Sequence, residues 1–294
     1  MGIISAELRY RVSQVKRQQI IQIEDIYKAH EKSEEDIKTI KTPGQFEGDM
    51  HPSHAVYAST QNLVSYLAEN LSVLPELEEY HKIAGHAEDE YMPGYPPMSP
   101  LTKSYFTHWA FFDLRFGKDR ETIGTCLLDI GSEIGINEGY IELIRLLQES
   151  RMGLYLNQGM EGKSVLLYEI FSKRQYRCHV TSGYTGRKNE IWFVRVAPPP
   201  FGLDDQNIVI TTPYIMIETL KEDWEDYFNR TLPRIGIDPP ISAYTELMKH
   251  GLEINYWNEY IFQGYCNFSN NIIYLTGIPD KPETLPHSGK YLSE

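Results

Sequence analysis

The sequence predicts an α+β protein, with a helical N-terminal part packed on a small antiparallel β barrel or sheet and covered by C-terminal helices. Three observations predict it. Between residues 154 and 217, runs rich in Val, Ile, Tyr, Phe and Trp alternate with Gly, Asn and Pro, the punctuation of short strands. On either side of that stretch, apolar residues recur at helical spacing. The chain has 294 residues, 41% hydrophobic and 23% charged, which places it among folded rather than disordered sequences. The reading divides it into a helical region (1–95), a helical segment leading into the core (96–153), a β module (154–217), and C-terminal helices with a final strand (218–294).

In chain order, residues 6–32 carry Leu8, Val12, Val15, Ile23, Ile26 and Tyr27 as a helical stripe. Residues 33–52 are polar and broken by Pro43, Gly44, Gly48 and Pro52, which predicts a long loop. Ser53 is placed as the cap of a helix over 54–71. A short helix starts at Pro75 and stops at Gly85, and the acidic, proline-containing stretch 86–100 is read as a linker. The aromatic run 101–116 fits either a helix or a buried strand. Ile123, Leu127, Ile130 and Ile134 step by four, three and four, a narrow helical stripe. Asn137 caps the next helix, which runs to about Arg151 and ends at Gly153.

The β module contains a short run at 154–156, then VLLYEI (165–170), QYRCHV (175–180), IWFVRV (191–196) and NIVITT (207–212). In QYRCHV the period of two puts Tyr176, Cys178 and Val180 on one face and Gln175, Arg177 and His179 on the other. IWFVRV is almost continuously apolar, so it is covered on both faces and Trp192 belongs to the core. Thr219 caps a helix that turns Trp224, Phe228 and Leu232 inward. Short helices near 241–250 and 255–266 follow, then a strand at 271–276.

The net charge of −13 argues against nonspecific nucleic-acid binding by the whole surface. Only residues 151–220 carry more basic than acidic side chains, 8 against 6. Cys126, Cys178 and Cys266 are far apart, and an odd number without a secretory signal predicts a reducing, cytoplasmic setting. No apolar run is long enough to span a bilayer, so no membrane association is expected.

Several strings, among them FTHWAFFDLRFG (106–117), ETIGTCLLDIG (121–131), CHVTSGYTGR (178–187) and EIWFVRVAPPPFG (190–202), resemble segments of a family of bacterial proteins of no assigned activity. The resemblance covers roughly residues 95–285. It implies a bacterial or archaeal cytoplasmic protein and carries over no catalytic residue.

The motifs that carry chemistry are sparse. His51 and His54 flank a proline-broken loop, and His81 and His86 are five apart, unlike the four-residue spacing of a zinc helix, so neither metal nor cofactor is expected. No nucleophile elbow or phosphate loop occurs, and Cys178 and His179 are neighbours on one strand, on opposite faces. No catalytic residue is assigned. Asp113, Asp129, Glu161 and Lys163 make up the carboxylate-and-lysine set that a metal-dependent nuclease or hydrolase would use, although Glu161-Gly162-Lys163 reads first as a hairpin turn. The turn at 181–190 concentrates Gly183, Tyr184, Gly186, Arg187 and Lys188. With Arg177, the residues Tyr184, Arg187 and Lys188 form the candidate contact surface for an acidic partner or a phosphate group. The expected function is that of a non-enzymatic accessory or regulatory protein that binds another protein. The alternatives are the hydrolase above and an RNA-binding small barrel using Arg177, Arg187 and Lys188.

Overall fold

The computed structural model describes residues 1–19, 50–72, 74–94, 98–203 and 205–287, with backbone alone at 15–19 and 202. The end of the first predicted stripe and most of the predicted loop at 33–52 lie outside the described residues. Among those described, the helices are α1 (Ile3–Gln19), α2 (Pro52–Leu71), α3 (Glu78–Tyr91), α4 (Lys103–His108), α5 (Ile123–Ile130), α6 (Glu138–Glu149), α7 (Lys221–Ile235), α8 (Pro240–His250) and α9 (Tyr256–Gly264). The strands are β1 (Arg151–Glu161), β2 (Ser164–Glu169), β3 (Gln175–Val180), β4 (Ile191–Ala197), β5 (Asn207–Val209), β6 (Tyr214–Ile217), β7 (Tyr265–Ser269) and β8 (Ile272–Thr276). The chain forms two compact units, one of residues 1–83 and 114–149 and the other of residues 84–113 and 150–294. Among the described residues, no helix is long and apolar enough to cross a membrane.

The first unit is helical. Ile123, Leu127 and Ile130 are buried along α5 as the spacing predicts, and Thr122 and Thr125 form a reciprocal capping box at its start. The Glu121 carboxylate accepts the backbone N–H of Ile4 at 2.8 Å and of Ser5 at 3.0 Å, so a distant residue satisfies donors that α1 leaves open at its N-terminus. Arg9 pairs with Glu133 and Arg11 with Glu76 on the surface.

The second unit holds a closed five-stranded barrel in the order β1-β2-β3-β5-β4, with β4 returning to β1. One long strand makes the closure possible. Arg151–Leu156 of β1 pairs with β4, while Tyr155–Glu161 pairs with β2 across a bulge between Asn157 and Gly159. The bulge bends the strand from one partner to the other. Strand β3 runs parallel to β5, so the barrel is mixed where the sequence predicts an antiparallel one. Beyond β4 the sheet continues through β6 and β8 to an edge at β7. Tyr155, Leu167, Cys178, Trp192, Val194 and Val209 lie in the barrel core, and Tyr176 packs against it half-buried, so the alternation in QYRCHV is realised. The C-terminal helices cover the barrel with aromatic rings. Phe228 of α7 meets Tyr244 of α8 edge to face at 5.0 Å, and Trp257 of α9 lies 5.0 Å from Phe193 of β4.

Several boundaries differ from the sequence reading. Residue 85 does not stop a helix, because α3 continues to Tyr91 and buries Ala87 and Tyr91; the predicted linker begins only after it. Burial of that apolar pair outweighs the cost of one internal glycine, about 1 kcal/mol. His51, not Ser53, precedes the first turn of α2, and Pro52 occupies it. The aromatic run forms α4 and then a π-helical turn at Trp109–Asp113. Gly153 lies inside β1 instead of ending α6. A Cβ there would come within 2.7 Å of the Tyr155 ring and 2.8 Å of the Glu169 carboxylate, so the glycine permits close packing inside the strand. Thr219 does not cap α7; its hydroxyl accepts the Trp224 indole N–H at 3.3 Å, and Leu220 occupies the cap position. Residues 265–269, read partly as helix, form β7, which makes β8 an interior strand.

Candidate functional site

Arg177 stands at the middle of β3 with its side chain on the outer face of the barrel. Its guanidinium donates to Ser164 Oγ at 3.1 Å and to Asp205 Oδ2 at 2.7 Å, and lies 3.9 Å from Glu161. Glu161 belongs to the β1–β2 turn and Asp205 to the β4–β5 loop, so Arg177 joins two loops at one end of the barrel. Ser164 reinforces the junction by donating to Gln206 at 2.7 Å. Glu161-Gly162-Lys163 is the hairpin turn that the sequence suggests first.

The β4–β5 loop carries the more telling feature. After Pro198, Pro199 and Pro200, Phe201 adopts a left-handed backbone with φ 52° and ψ 20°. For a non-glycine residue that conformation costs about 1–2 kcal/mol. Its ring does not repay the strain by burial, since Phe201 is 55% exposed and Leu203 beside it 54%. Met160, next to the β1–β2 turn, is also exposed. Strained backbone that presents apolar side chains to solvent is a feature of interaction sites.

The second part of the sequence-predicted surface belongs to a different network. Tyr184 lies over Trp192 with ring centroids 5.3 Å apart, and its hydroxyl donates to Glu190 at 3.0 Å. The Trp192 indole donates to the same carboxylate at 3.3 Å. Burial, and then the hydrogen bond to Glu190, push the Tyr184 hydroxyl above its ordinary pKa. Asn157 of β1 donates to Thr185 O at 2.9 Å and exchanges backbone bonds with the far side of the turn. Gly186 sits at φ 65°, and a Cβ there would fall 2.5 Å from both Trp192 and Glu190, so the turn closes tightly only with glycine. Arg187 and Lys188 are exposed at its tip. Tyr184 is thus a packing residue, while Arg177 takes its partners from the two loops at 161–164 and 205.

The positive balance of residues 151–220 is partly internal. Arg151 donates to the fully buried Glu169 at 2.7 Å and stacks 4.5 Å from the Tyr244 ring. Arg195, 1% exposed in the middle of the apolar strand β4, pairs with buried Asp113 and donates to Ser150 O at 3.2 Å. Lys249 adds a second cation 3.6 Å from Asp113. Burial pushes the Asp113 carboxyl up, against the pull of Arg195 and Lys249. Asp113 therefore sits in a buried ionic cluster, whereas Glu161 and Lys163 lie in an exposed turn and Asp129 belongs to the helical unit. Among the described residues, no three His, Cys, Asp or Glu side chains group as metal ligands. Cys126 and Cys178 are buried, and burial raises both thiols, Cys126 to about 12.

The ionic cluster has a pH signature through His108. Burial, and then Arg195, lower its pKa to about 3 from the ordinary 6.5, and its Nδ1 lies 2.6 Å from Ser104 O. The unfolded chain takes up this proton near pH 6.5 and the folded one only near 3, so the unfolded state binds more protons in between. Stability is present above pH 6.5 and lost as pH falls. His108 alone is expected to remove about 2 kcal/mol between pH 6.5 and 5. Urea unfolding of the wild type and His108→Gln at the two pH values measures it; equal slopes in the two proteins would exclude His108 as the cause.

No family model, curated protein or solved structure matches the chain.

Proposed function

We propose that the protein is a non-enzymatic binding module that docks onto another protein through the loop end of its barrel. The observation that carries this reading is Phe201, held in a left-handed conformation after three prolines and more than half exposed. Phe201 and Leu203 serve as anchors for an apolar pocket on the partner, and the Arg177–Asp205–Glu161 ions form the polar rim around them. Arg177 is already flanked by two carboxylates, which favours a protein contact over capture of phosphates. The small barrel also fits five-stranded binding modules, but a fold of this kind assigns no ligand by itself.

Two measurements test the reading. A photo-crosslinking benzoylphenylalanine at position 201, in cells of the protein's own source, is expected to yield a discrete protein adduct. The same probe at Phe268, 40% exposed on the edge strand β7, is expected to yield none. A nuclease-sensitive adduct, or an adduct from a probe at Arg187 and none from 201, would defeat the proposal and return the contact to nucleic acid or to the 181–190 turn. Phe201→Gly is expected to leave unfolding stability unchanged or raise it by about 1 kcal/mol, because glycine relieves the left-handed strain. That variant should lose the partner all the same. A clear loss of stability would make Phe201 a packing residue.

A further inference from the structure

A cavity of about 330 Å³ opens beside α9 in the barrel-containing unit. One wall is a stripe of that helix. Tyr256, Glu259, Tyr260 and Gln263 are spaced so that all four share a face, and all four line the cavity. Tyr91, at the end of α3, and Glu253, just before α9, contribute from outside the helix.

The chemistry of this lining is one-sided. It holds two carboxylates and three tyrosine rings, with no lysine, arginine or histidine. The tyrosine hydroxyls are already engaged. Tyr91 donates to Glu259 at 2.8 Å, Tyr256 shares a 2.7 Å bond with Tyr227, and Tyr260 donates to Gly277 O at 3.0 Å. With its hydroxyl tied down, the half-buried Tyr256 ring offers the cavity carbon surface and π electrons, while Tyr91 and Tyr260, 4% and 3% exposed, show it little of theirs. Glu259 accepts one neutral donor on each oxygen, from Tyr91 and Gln263, and keeps lone pairs to spare. Among the described residues it forms no ion pair. The positive end of α9 offsets part of its charge, about half an elementary charge at most.

We propose that this cavity binds a small organic ammonium ion, a quaternary or alkylated amine. Its charge would lie against Glu259 and its carbon groups against the Tyr256 ring, the arrangement in which cation–π attraction and a carboxylate reinforce each other. An anion would meet two carboxylates. A hard divalent cation requires six or more oxygen ligands, and Pro279 and Leu285 line part of the wall with carbon instead. The inference rests on nothing in the docking reading.

Calorimetric titration with choline chloride tests it, beside the neutral isostere 3,3-dimethylbutan-1-ol and sodium chloride at matched ionic strength. Choline is expected to bind saturably, and the alcohol at least tenfold more weakly. Glu259→Gln keeps an acceptor for the Tyr91 hydroxyl and is expected to weaken choline at least tenfold. Should that variant fold poorly, Glu253→Gln, exposed at the rim, is expected to weaken choline several-fold with an unchanged melting temperature. No saturable choline binding at millimolar concentration, equal binding of choline and the alcohol, or full choline affinity in folded carboxylate variants would each overturn the proposal.

Discussion

Arg195→Met is expected to lower the unfolding free energy by about 3–5 kcal/mol. The arginine is 1% exposed, and its charge is answered by Asp113, which is 4% exposed. Removing the guanidinium leaves a buried carboxylate with Lys249 at 3.6 Å as its remaining counter-charge. It also strips two hydrogen bonds from Ser150. Methionine fills much of the vacated volume, so the loss comes chiefly from the broken buried ion pair and its hydrogen bonds and little from a cavity. Adding Asp113→Asn to the same chain removes that charge and should recover part of the loss, which makes the pair a double-mutant cycle. Equilibrium denaturation of the two single variants and the double one measures it. Additive losses would mean that the two groups do not act on one another.

Trp192→Ala is expected to cost about 3–5 kcal/mol as well, for a different reason. The indole is fully buried in the barrel core, beneath Tyr184 and beside Tyr155, and β4 pairs there with both β1 and β6. Its removal opens a cavity in a closed barrel whose five strands cannot collapse inward independently. The variant also leaves Glu190 with Tyr184 as its remaining side-chain donor at the turn. The 181–190 turn should therefore loosen with the core, read as faster amide exchange at Gly186 and Asn189. A melting temperature within a degree of the wild type would contradict the packing.

Much of this architecture is legible in local pattern. The period of two in QYRCHV, the stripe Ile123, Leu127 and Ile130 of α5 and the apolar run of β4 each bury the face they predict, because each element meets its neighbours through one face or through both; Ile134, the last step of that stripe, falls in the turn after α5 and is half-buried. The hairpin at Glu161-Gly162-Lys163 is legible for the same reason, since turn chemistry is local. Boundaries are less so. Gly85 and Gly153 carry stop signals that packing overrides, one inside α3 and one against Tyr155 and Glu169.

The candidate sites separate along the same line. From the sequence, Arg177, Tyr184, Arg187 and Lys188 form one surface because they are near in the chain. Tertiary structure gives Arg177 to the loops at 161–164 and 205 and turns Tyr184 inward over Trp192, since hydrogen-bond partners answer to distance in space. Phe201 reads as one more apolar residue after prolines until its backbone angle and exposure are known. The tyrosine–glutamate cavity draws on residues as far apart as 91 and 259, and the Asp113–Arg195 pair spans 82 positions. By itself the sequence determined the α+β class, the strands β2 to β5 of the barrel and the inward position of Trp192, all consequences of short-range periodicity, while the full length of β1 was not legible. Only the tertiary structure decided which charges are buried, which loops meet and where a cavity opens, because those depend on contacts between residues with no local relation.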